Sequence, residues 1–137
     1  MTPSTSVLIV DDDSDLRKLL RTSLASSRRV IHEAATAEDG LRIALDTLPD
    51  VLLLDIGLPG LDGFAFCRAI DDEPALWNMK TVIISGHDAA QDIDQAKRFG
   101  IDAYLIKPFS PRMVVELVER LEPQLHEMLV VPAEQHD

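Results

Sequence analysis

Four apolar runs in the chain end on side chains that carry a charge or a hydroxyl group. VLIV is followed by Asp11-Asp12-Asp13, VLLL by Asp55, TVII by Ser85 and YLI by Lys107. A single ending of this kind shows little, because Asp is a common turn residue. In an open parallel sheet, however, ligands bind outside the carboxyl ends of the strands, where these side chains would converge. The pattern therefore predicts one reactive site rather than a set of turns.

The charges in this set predict both an ion and a reaction. Two carboxylates ~4 Å apart repel by about 4 kcal/mol at an effective dielectric of ~20, so Lys107 alone does not offset Asp11, Asp12 and Asp55. We therefore expect a divalent cation, and a few oxygen ligands completed by water suit Mg²⁺ better than Ca²⁺. A carboxylate beside such an ion can attack phosphorus, while Lys107 and Ser85 hold the other phosphoryl oxygens. The predicted chemistry is phosphoryl transfer to an aspartate.

Strands and helices that would position this site can be read from the periodicity. Short apolar runs alternate with longer segments whose apolar residues recur at helical spacing, which indicates βα units around a parallel sheet. We predict strands at residues 6–10, 29–34, 51–54, 81–85 and 103–106, with helices between them. The fourth helix, at residues 89–99, has the thinnest apolar stripe, so we expect it to be loosely held.

Several helix ends carry their own signals. Thr36, with Asp39 three residues later, predicts a capping box that opens the second helix, and Ser110 followed by proline predicts an N-cap for the fifth. Asp62 is the corresponding N-cap candidate for the third helix, and Gly100 is expected to end the fourth.

The order of the strands follows from how such units connect. Parallel strands joined by single helices form right-handed crossovers, and about five of them usually build a doubly wound three-layer sandwich. The second strand has titratable residues, His32 and Glu33, at interior positions, which fits an edge. We therefore predict an α/β fold with the parallel strand order 2-1-3-4-5.

Composition limits the remaining possibilities. A chain of 137 residues with 46% hydrophobic content suits one globular domain. Its net charge of -11 repels nucleic acid and anionic lipid, so we predict no direct binding to either. No apolar run approaches the ~18 residues of a membrane span, and the start lacks a basic secretory n-region, so we predict a cytoplasmic protein. Cys67 is expected to be a small core residue.

Over residues 6 to about 122 the chain resembles the receiver domain of bacterial two-component response regulators. The resemblance is carried by four motifs in this order: VLIVDDD, VLLLDIGLPGLDGF, VIISG and YLIKPF. It implies a flavodoxin-like (βα)5 sandwich at residues 6–122, preceded by an N-terminal tail at 1–5 and followed by an extension or linker at 123–137.

The resemblance also implies roles for the acids. Asp55 is similar to the residue that accepts a phosphoryl group from a phosphohistidine. Asp12, Asp55 and the backbone carbonyl of Gly57 resemble direct Mg²⁺ ligands, and Asp11 resembles the acid that binds the metal through water. The implied protein catalyses only its own phosphorylation and dephosphorylation, and is not an enzyme acting on other substrates.

Three further residues follow from the same resemblance. Lys107 would pair with the phosphoryl group, Ser85 would move toward it, and Tyr104 would turn its ring inward as Ser85 moves. The bond between Lys107 and the following proline is similar to one that the family holds in the cis form. Gly57 and His87, each two residues past a site residue, lie where the family varies the side chains that control how water reaches the acyl phosphate.

The implied partners are proteins. A sensor histidine kinase or a histidine phosphotransfer protein would supply the phosphoryl group. A downstream protein, or an output domain outside this chain, would bind the face made by the fourth helix, the fifth strand and the fifth helix, and a homodimer through this chain is a further alternative.

Three other functions compete with this interpretation. A haloacid-dehalogenase-like phosphatase also uses Asp, Ser or Thr, Lys and Mg²⁺, but places its nucleophile after the first strand in a DxD pattern. A receiver-like interaction module without phosphotransfer would lack a working site, although the site residues are all present. A flavodoxin-like FMN carrier is disfavoured, because the loop after the first strand offers acids where a phosphate needs amides and hydroxyls.

Two segments have simpler interpretations. Asp13 is expected to be an acid at the N-terminus of the first helix rather than a third ligand of the metal. In residues 123–137, the apolar residues Leu125, Met128, Leu129 and Val130 favour an extension of the fifth helix that is used in contacts. A linker is the alternative for this segment.

Overall fold

A computed structural model describes residues 5–25, 28–57, 63–86, 90–122 and 129–134 of the chain. Its strands are β1 Thr5–Val10, β2 Arg29–Ala34, β3 Val51–Asp55, β4 Lys80–Ser85, β5 Ala103–Ile106 and β6 Leu129–Val131. Its helices are α1 Ser14–Leu24, α2 Ala37–Thr47, α3 Gly63–Asp71, α4 Ala90–Arg98 and α5 Pro111–Leu121, with a short 3₁₀ turn at Pro74–Leu76. The five predicted strands and the helices between them are therefore confirmed to within a residue or two.

The strands form one parallel sheet in the order β2-β1-β3-β4-β5-β6. The predicted order 2-1-3-4-5 is confirmed, and β2 lies at an edge as the titratable residues in it indicated. All five residues of β3 are buried, as expected for a central strand that is covered on both faces.

Two apolar cores lie on the two faces of the sheet. One core packs α1 and α5 against the sheet through residues such as Leu20 and Val118. The other packs α2, α3 and α4 against the opposite face, through residues such as Ala44 and Phe66. Cys67 lies in this second core, 3% exposed, as predicted. The result is the predicted three-layer sandwich.

The helix ends show why the helices begin and end where they do. The Thr36 hydroxyl accepts a hydrogen bond from the Asp39 amide at 3.2 Å, and the Ser110 hydroxyl accepts one from the Met113 amide at 3.3 Å. Gly100 takes a φ of 69° just after α4, a left-handed conformation that glycine adopts without steric cost. The N-caps at Thr36 and Ser110 and the end of α4 at Gly100 are confirmed, whereas the predicted N-cap Asp62 lies outside the described residues.

α4 is anchored by few side chains, as its sequence predicted. Among its residues whose side chains are described, only Ala96 is buried, and Ile93 is half-buried. Phe99, just beyond the helix, adds a stacked ring contact to Phe64 with the ring centroids 5.9 Å apart.

The end of the chain differs from its prediction. Leu129–Val131 form a sixth strand parallel to β5, whereas we predicted that Leu129 and Val130 extend the fifth helix. The helical interpretation of these residues is wrong, because three β-branched or apolar residues can form strand hydrogen bonds with β5 once the chain folds back beside it. Leu125 and Met128 lie outside the described residues.

No helix in the described part of the chain has the length and apolar character needed to cross a membrane.

Candidate functional site

Strand register brings the polar strand ends together. Val10 pairs with Leu54 in the sheet, so the next residues along, Asp11 and Asp55, leave β1 and β3 at the same level. On the other side of β3, Asp55 is level with Ile84, which precedes Ser85. Ser85 is in turn level with Ile106, which precedes Lys107. Each polar residue therefore lies at the carboxyl end of its strand or directly after it, as the sequence predicted.

The three acids Asp11, Asp12 and Asp55 form one cluster. Each offers a carboxylate oxygen, and these oxygens all lie within 4.8 Å of one another. Asp11 and Asp55 are buried, at 1% and 7% exposure, while Asp12 is exposed to solvent. Negative charges this close repel strongly at low dielectric, so the arrangement favours a bound cation or a bound proton.

Asp11 is the most perturbed member of this cluster. Its Oδ1 accepts a hydrogen bond from the Asp13 amide at 2.9 Å, whereas its buried Oδ2 has no hydrogen-bond partner among the described residues. The pKa of Asp11 is raised from 3.8 to about 6. Burial is the largest cause, the charges of Asp55 and Asp12 also raise the pKa, and the Asp13 amide and Lys107 lower it. One oxygen of Asp11 is therefore buried and still requires a partner.

Asp55 is held by contacts on both of its oxygens. Its Oδ1 accepts a hydrogen bond from the Gly57 amide at 2.8 Å, and its Oδ2 lies 3.6 Å from the ammonium of Lys107. A side chain at position 57 would begin 3.3 Å from Asp55 Oδ1, closer than most such contacts. Glycine at this position therefore keeps the approach to the carboxylate clear.

The donor set fits a hard divalent cation. The cluster supplies oxygen ligands only, one of them is buried without a hydrogen-bond partner, and a single ammonium, that of Lys107, lies within ion-pair distance of Asp55 among the described residues. Three carboxylates and one ammonium leave an excess of negative charge, which a divalent cation with oxygen ligands neutralises.

Asp13 belongs to the helix and not to the cluster. Its Oδ1 accepts hydrogen bonds from the amides of Asp15 at 2.9 Å and Leu16 at 3.2 Å, which makes it the N-cap of α1. The predicted helix-terminal role is confirmed. By holding the start of α1, Asp13 also fixes the backbone whose amide supports Asp11.

A residue absent from the sequence prediction also supports this loop. The Arg17 guanidinium donates a hydrogen bond from Nη1 to the carbonyl oxygen of Asp11 at 2.7 Å, and its Nε lies 3.4 Å from Glu33. Glu33 also pairs with Arg21 at 2.7 Å, which accounts for the acid in the edge strand. Arg17 and Arg21 lie one helical turn apart, a spacing that the sequence shows. Their shared partner Glu33 lies on β2, so local sequence alone did not identify the ion pairs.

The remaining predicted residues occupy the expected strands. Ser85 is 2% exposed, and its carbonyl oxygen accepts a hydrogen bond from the Lys107 amide at 2.8 Å. Tyr104 is fully buried in the core beneath α2, α3 and α4. The bond between Lys107 and Pro108 is cis, as predicted. His87 lies outside the described residues, so its role stays a prediction.

Comparison with known proteins gives a consistent match. A family model described as the response regulator receiver domain matches residues 7–119. The transcriptional regulatory protein ResD of Bacillus subtilis is 36% identical over 122 residues, which are 88% of this chain and 49% of that protein. The KDP operon transcriptional regulatory protein KdpE of Escherichia coli is 36% identical over 121 residues, 88% of this chain and 51% of that protein. The chain thus spans about half the length of these two relatives.

Solved structures have the same fold. The chemotaxis response regulator CheY4 of Vibrio cholerae superposes with a TM-score of 0.80 at 23% identity, covering 86% of this chain and 98% of that one. A putative response regulator from Chloroflexus aurantiacus also superposes with a TM-score of 0.80, at 27% identity, covering 88% of this chain and 99% of that one. The doubly wound fold is therefore shared with both.

Proposed function

Because the chain belongs to the response regulator receiver domain family of two-component systems, we propose that it is a signalling switch controlled by phosphorylation of Asp55. The observation that carries the proposal is the position of Asp55. It ends the buried strand β3, lies in the acidic cluster, and is the acid that contacts Lys107. The donor would be a phosphohistidine on a sensor histidine kinase or a histidine phosphotransfer protein.

The chemistry proposed for Asp55 is an in-line displacement. A carboxylate oxygen attacks the phosphorus, the bond from phosphorus to the donor imidazole nitrogen breaks, and its electron pair returns to that nitrogen. The Gly57 amide, 2.8 Å from Oδ1, fixes the orientation of the carboxylate and leaves the other oxygen facing Lys107. The side-chain contacts at Asp55 therefore orient the nucleophile before the donor arrives.

Lys107 and Ser85 would bind the transferred group. The Lys107 ammonium lies 3.6 Å from Asp55 and is 37% exposed, so it can turn toward a phosphoryl oxygen without losing solvent contact on its other side. Ser85 ends β4, the strand next to β3, where its hydroxyl can donate to a second phosphoryl oxygen. A positive charge and a hydroxyl donor match what a phosphoryl-transfer transition state needs.

Mg²⁺ is the cofactor we propose for the acidic cluster. Asp12, Asp55 and the Gly57 carbonyl would bind the ion directly, and Asp11 would bind it through water, which would give the unpartnered Oδ2 of Asp11 a hydrogen bond. When bound, the ion supplies positive charge that offsets the carboxylates and the phosphoryl oxygens.

The signal would leave through the face made by α4, β5 and α5. The few buried side chains of α4 support this proposal, because a loosely anchored helix can change its packing when a charge is added nearby. We propose that a downstream protein, or an output domain outside this chain, binds this face. A homodimer stays a prediction.

Intact-protein mass spectrometry tests the central proposal. The wild type, Asp55→Asn, Lys107→Gln and the control Asp71→Asn are incubated with a small-molecule phosphodonor, with and without Mg²⁺. We expect one phosphoryl group on the wild type and on Asp71→Asn, only with Mg²⁺, and none on Asp55→Asn. Lys107→Gln should react more slowly, because the charge facing the phosphoryl group is lost.

The negative results discriminate among the alternatives. If Asp55→Asn were phosphorylated to the same extent as the wild type, Asp55 would not be the acceptor. If no variant gained mass under any condition, the chain would be a receiver-like interaction module without phosphotransfer.

A further inference from the structure

The edge of β5 binds a strand from the end of the same chain. Residues Leu129–Val131 form β6, with Ala103 opposite Leu129, Tyr104 opposite Val130 and Leu105 opposite Val131. We propose that the β5 edge is a strand-binding surface whose occupant in the unphosphorylated protein is its own segment 129–134, and that phosphorylation displaces this segment. The displacement rests on the function proposed above.

The segment contacts the body of the domain on both faces of the sheet. Val131 packs against the core under α1 and α5, whereas Ala133 packs against the core under α2, α3 and α4. Beyond the strand, the Glu134 amide donates a hydrogen bond to the carbonyl oxygen of Pro108 at 2.7 Å. The segment is therefore docked by strand pairing, by two apolar contacts and by a backbone hydrogen bond, and is not a free tail.

The docked segment completes the burial of the switch region. Without β6 the sheet would end at β5, and an open edge strand exposes unpaired amides and carbonyls. With β6 in place, Tyr104 and Leu105 are both fully buried, and Ala133 packs against the core cluster that contains Tyr104. The face of α4, β5 and α5 that we propose for output is thus partly covered by the chain itself.

The same segment is held weakly enough to leave. β6 has only three residues, which is the short end of the range for strands, and Val130 at its centre is 42% exposed. Ala133 offers a single methyl group to the core. The segment is tethered to α5 by few residues, so it can rebind quickly without a second molecule.

A short chain of contacts connects the segment to the phosphorylation site. The Glu134 amide bonds to Pro108, which directly follows Lys107, and Lys107 lies 3.6 Å from Asp55. A change in the backbone at Lys107 on phosphorylation of Asp55 would carry over to the adjacent Pro108, whose carbonyl oxygen accepts this hydrogen bond. Binding equilibria coupled in this way are reciprocal, so a docked β6 disfavours phosphorylation by the factor with which phosphorylation disfavours docking.

The uncovered edge defines the kind of partner that would replace β6. The surface pairs with an extended apolar segment in parallel register, and apolar cores flank it on both faces of the sheet. Strand addition to an open sheet edge is a common mode of peptide recognition. Until β6 leaves, its own residues exclude such a partner.

Hydrogen–deuterium exchange of the full chain tests the docking. The variant Val131→Asp places a charge at a half-buried contact, and the matched control Val130→Asp places the same charge at the exposed neighbour in the same strand. We expect exchange of the β5 amides to rise about tenfold in Val131→Asp and less than about twofold in Val130→Asp. Exchange in β3, in the middle of the sheet, shows that the domain itself stays folded.

Phosphorylation of the same proteins tests the displacement. After phosphoryl addition has been verified by intact mass, β5 exchange in the wild type should rise to the level of Val131→Asp. At equal donor concentration, the equilibrium ratio of phosphorylated to unphosphorylated protein should also be severalfold higher for Val131→Asp than for the wild type, by reciprocity. Addition to Val130→Asp should match the wild type.

The contrary outcomes are distinct. Absence of phosphoryl addition to any variant would refute the proposed function, and the displacement with it. Phosphoryl addition that leaves β5 protection unchanged would refute this inference alone. Protection that falls on dilution, with a dimer in light scattering, would show that β6 comes from a second copy, against docking within one chain.

Discussion

The substitution Asp11→Asn should make the metal-free protein progressively more stable relative to the wild type as the pH rises to neutral, although it alters a residue of the candidate site. Asp11 is 1% exposed, its Oδ2 has no hydrogen-bond partner among the described residues, and its pKa is raised from 3.8 to about 6, mainly by burial. A difference of about two pKa units corresponds to about 3 kcal/mol between the two protonation states. The ionised carboxylate of Asp11 therefore destabilises the folded chain by up to that amount.

The sign of the pH dependence follows from the direction of the shift. Between about pH 4 and pH 6 the folded protein binds the Asp11 proton more tightly than the unfolded chain does. The free energy of unfolding therefore falls as the pH rises through this window. Below about pH 4 Asp11 is protonated in both states, so the pKa shift does not lower the free energy of unfolding. Above about pH 6 Asp11 is ionised in both states, and the free energy of unfolding is lowered by the full amount.

Urea denaturation of the wild type and Asp11→Asn in EDTA measures this effect. The difference in unfolding free energy between the two proteins should grow in favour of the variant by about 2–3 kcal/mol from pH 4 to pH 7.5. Comparing the difference at two pH values removes the constant cost of burying an amide. The exposed Asp46→Asn on α2 is the control for removing one negative charge from an acidic protein.

Two results would contradict this reasoning. The first is a difference between wild type and Asp11→Asn that does not change with pH. The second is a variant that becomes relatively less stable as the pH rises, since that would mean that ionised Asp11 is favourably solvated or paired in the metal-free fold. Adding Mg²⁺ at pH 7.5 should narrow the gap, because a bound cation stabilises the ionised wild-type cluster.

Three further substitutions test how the scaffold holds the site. Gly63→Ala should cost about 1–3 kcal/mol in urea denaturation, because its Cβ would lie 2.5 Å from the backbone of Ile56, whereas Gly86→Ala, which has open space, should not show this steric cost. Asp13→Ala should lose about 1 kcal/mol in the same assay, because the amides at the start of α1 lose their cap. Arg29→Met should lose about 1–2 kcal/mol, because it breaks the ion pairs between β2 and the end of α5, and raising the salt concentration should destabilise the wild type by less than half of that amount.

Much of the scaffold was determined by local sequence. Apolar runs of strand length ending on Asp11, Asp55, Ser85 and Lys107 predicted the sheet and the edge at which the site lies. The caps at Thr36 and Ser110 and the stop at Gly100 were also predictable, because each acts on backbone groups within a few residues. These features depend on residue type and short spacing, so no knowledge of the fold was needed.

Tertiary structure decided the features that depend on residues distant in sequence. The raised pKa of Asp11 comes from burial and from charges on other strands, and Arg17 supports the acidic loop while it pairs with Glu33 across the first helix and the second strand. The apolar residues around Val130 predicted a helix, but Leu129–Val131 form a strand, because the edge of β5 offers hydrogen-bond partners that sequence periodicity does not report. Local pattern fixes how a segment can fold, whereas the groups that lie opposite it in space decide its conformation, its ionisation and the partner it excludes.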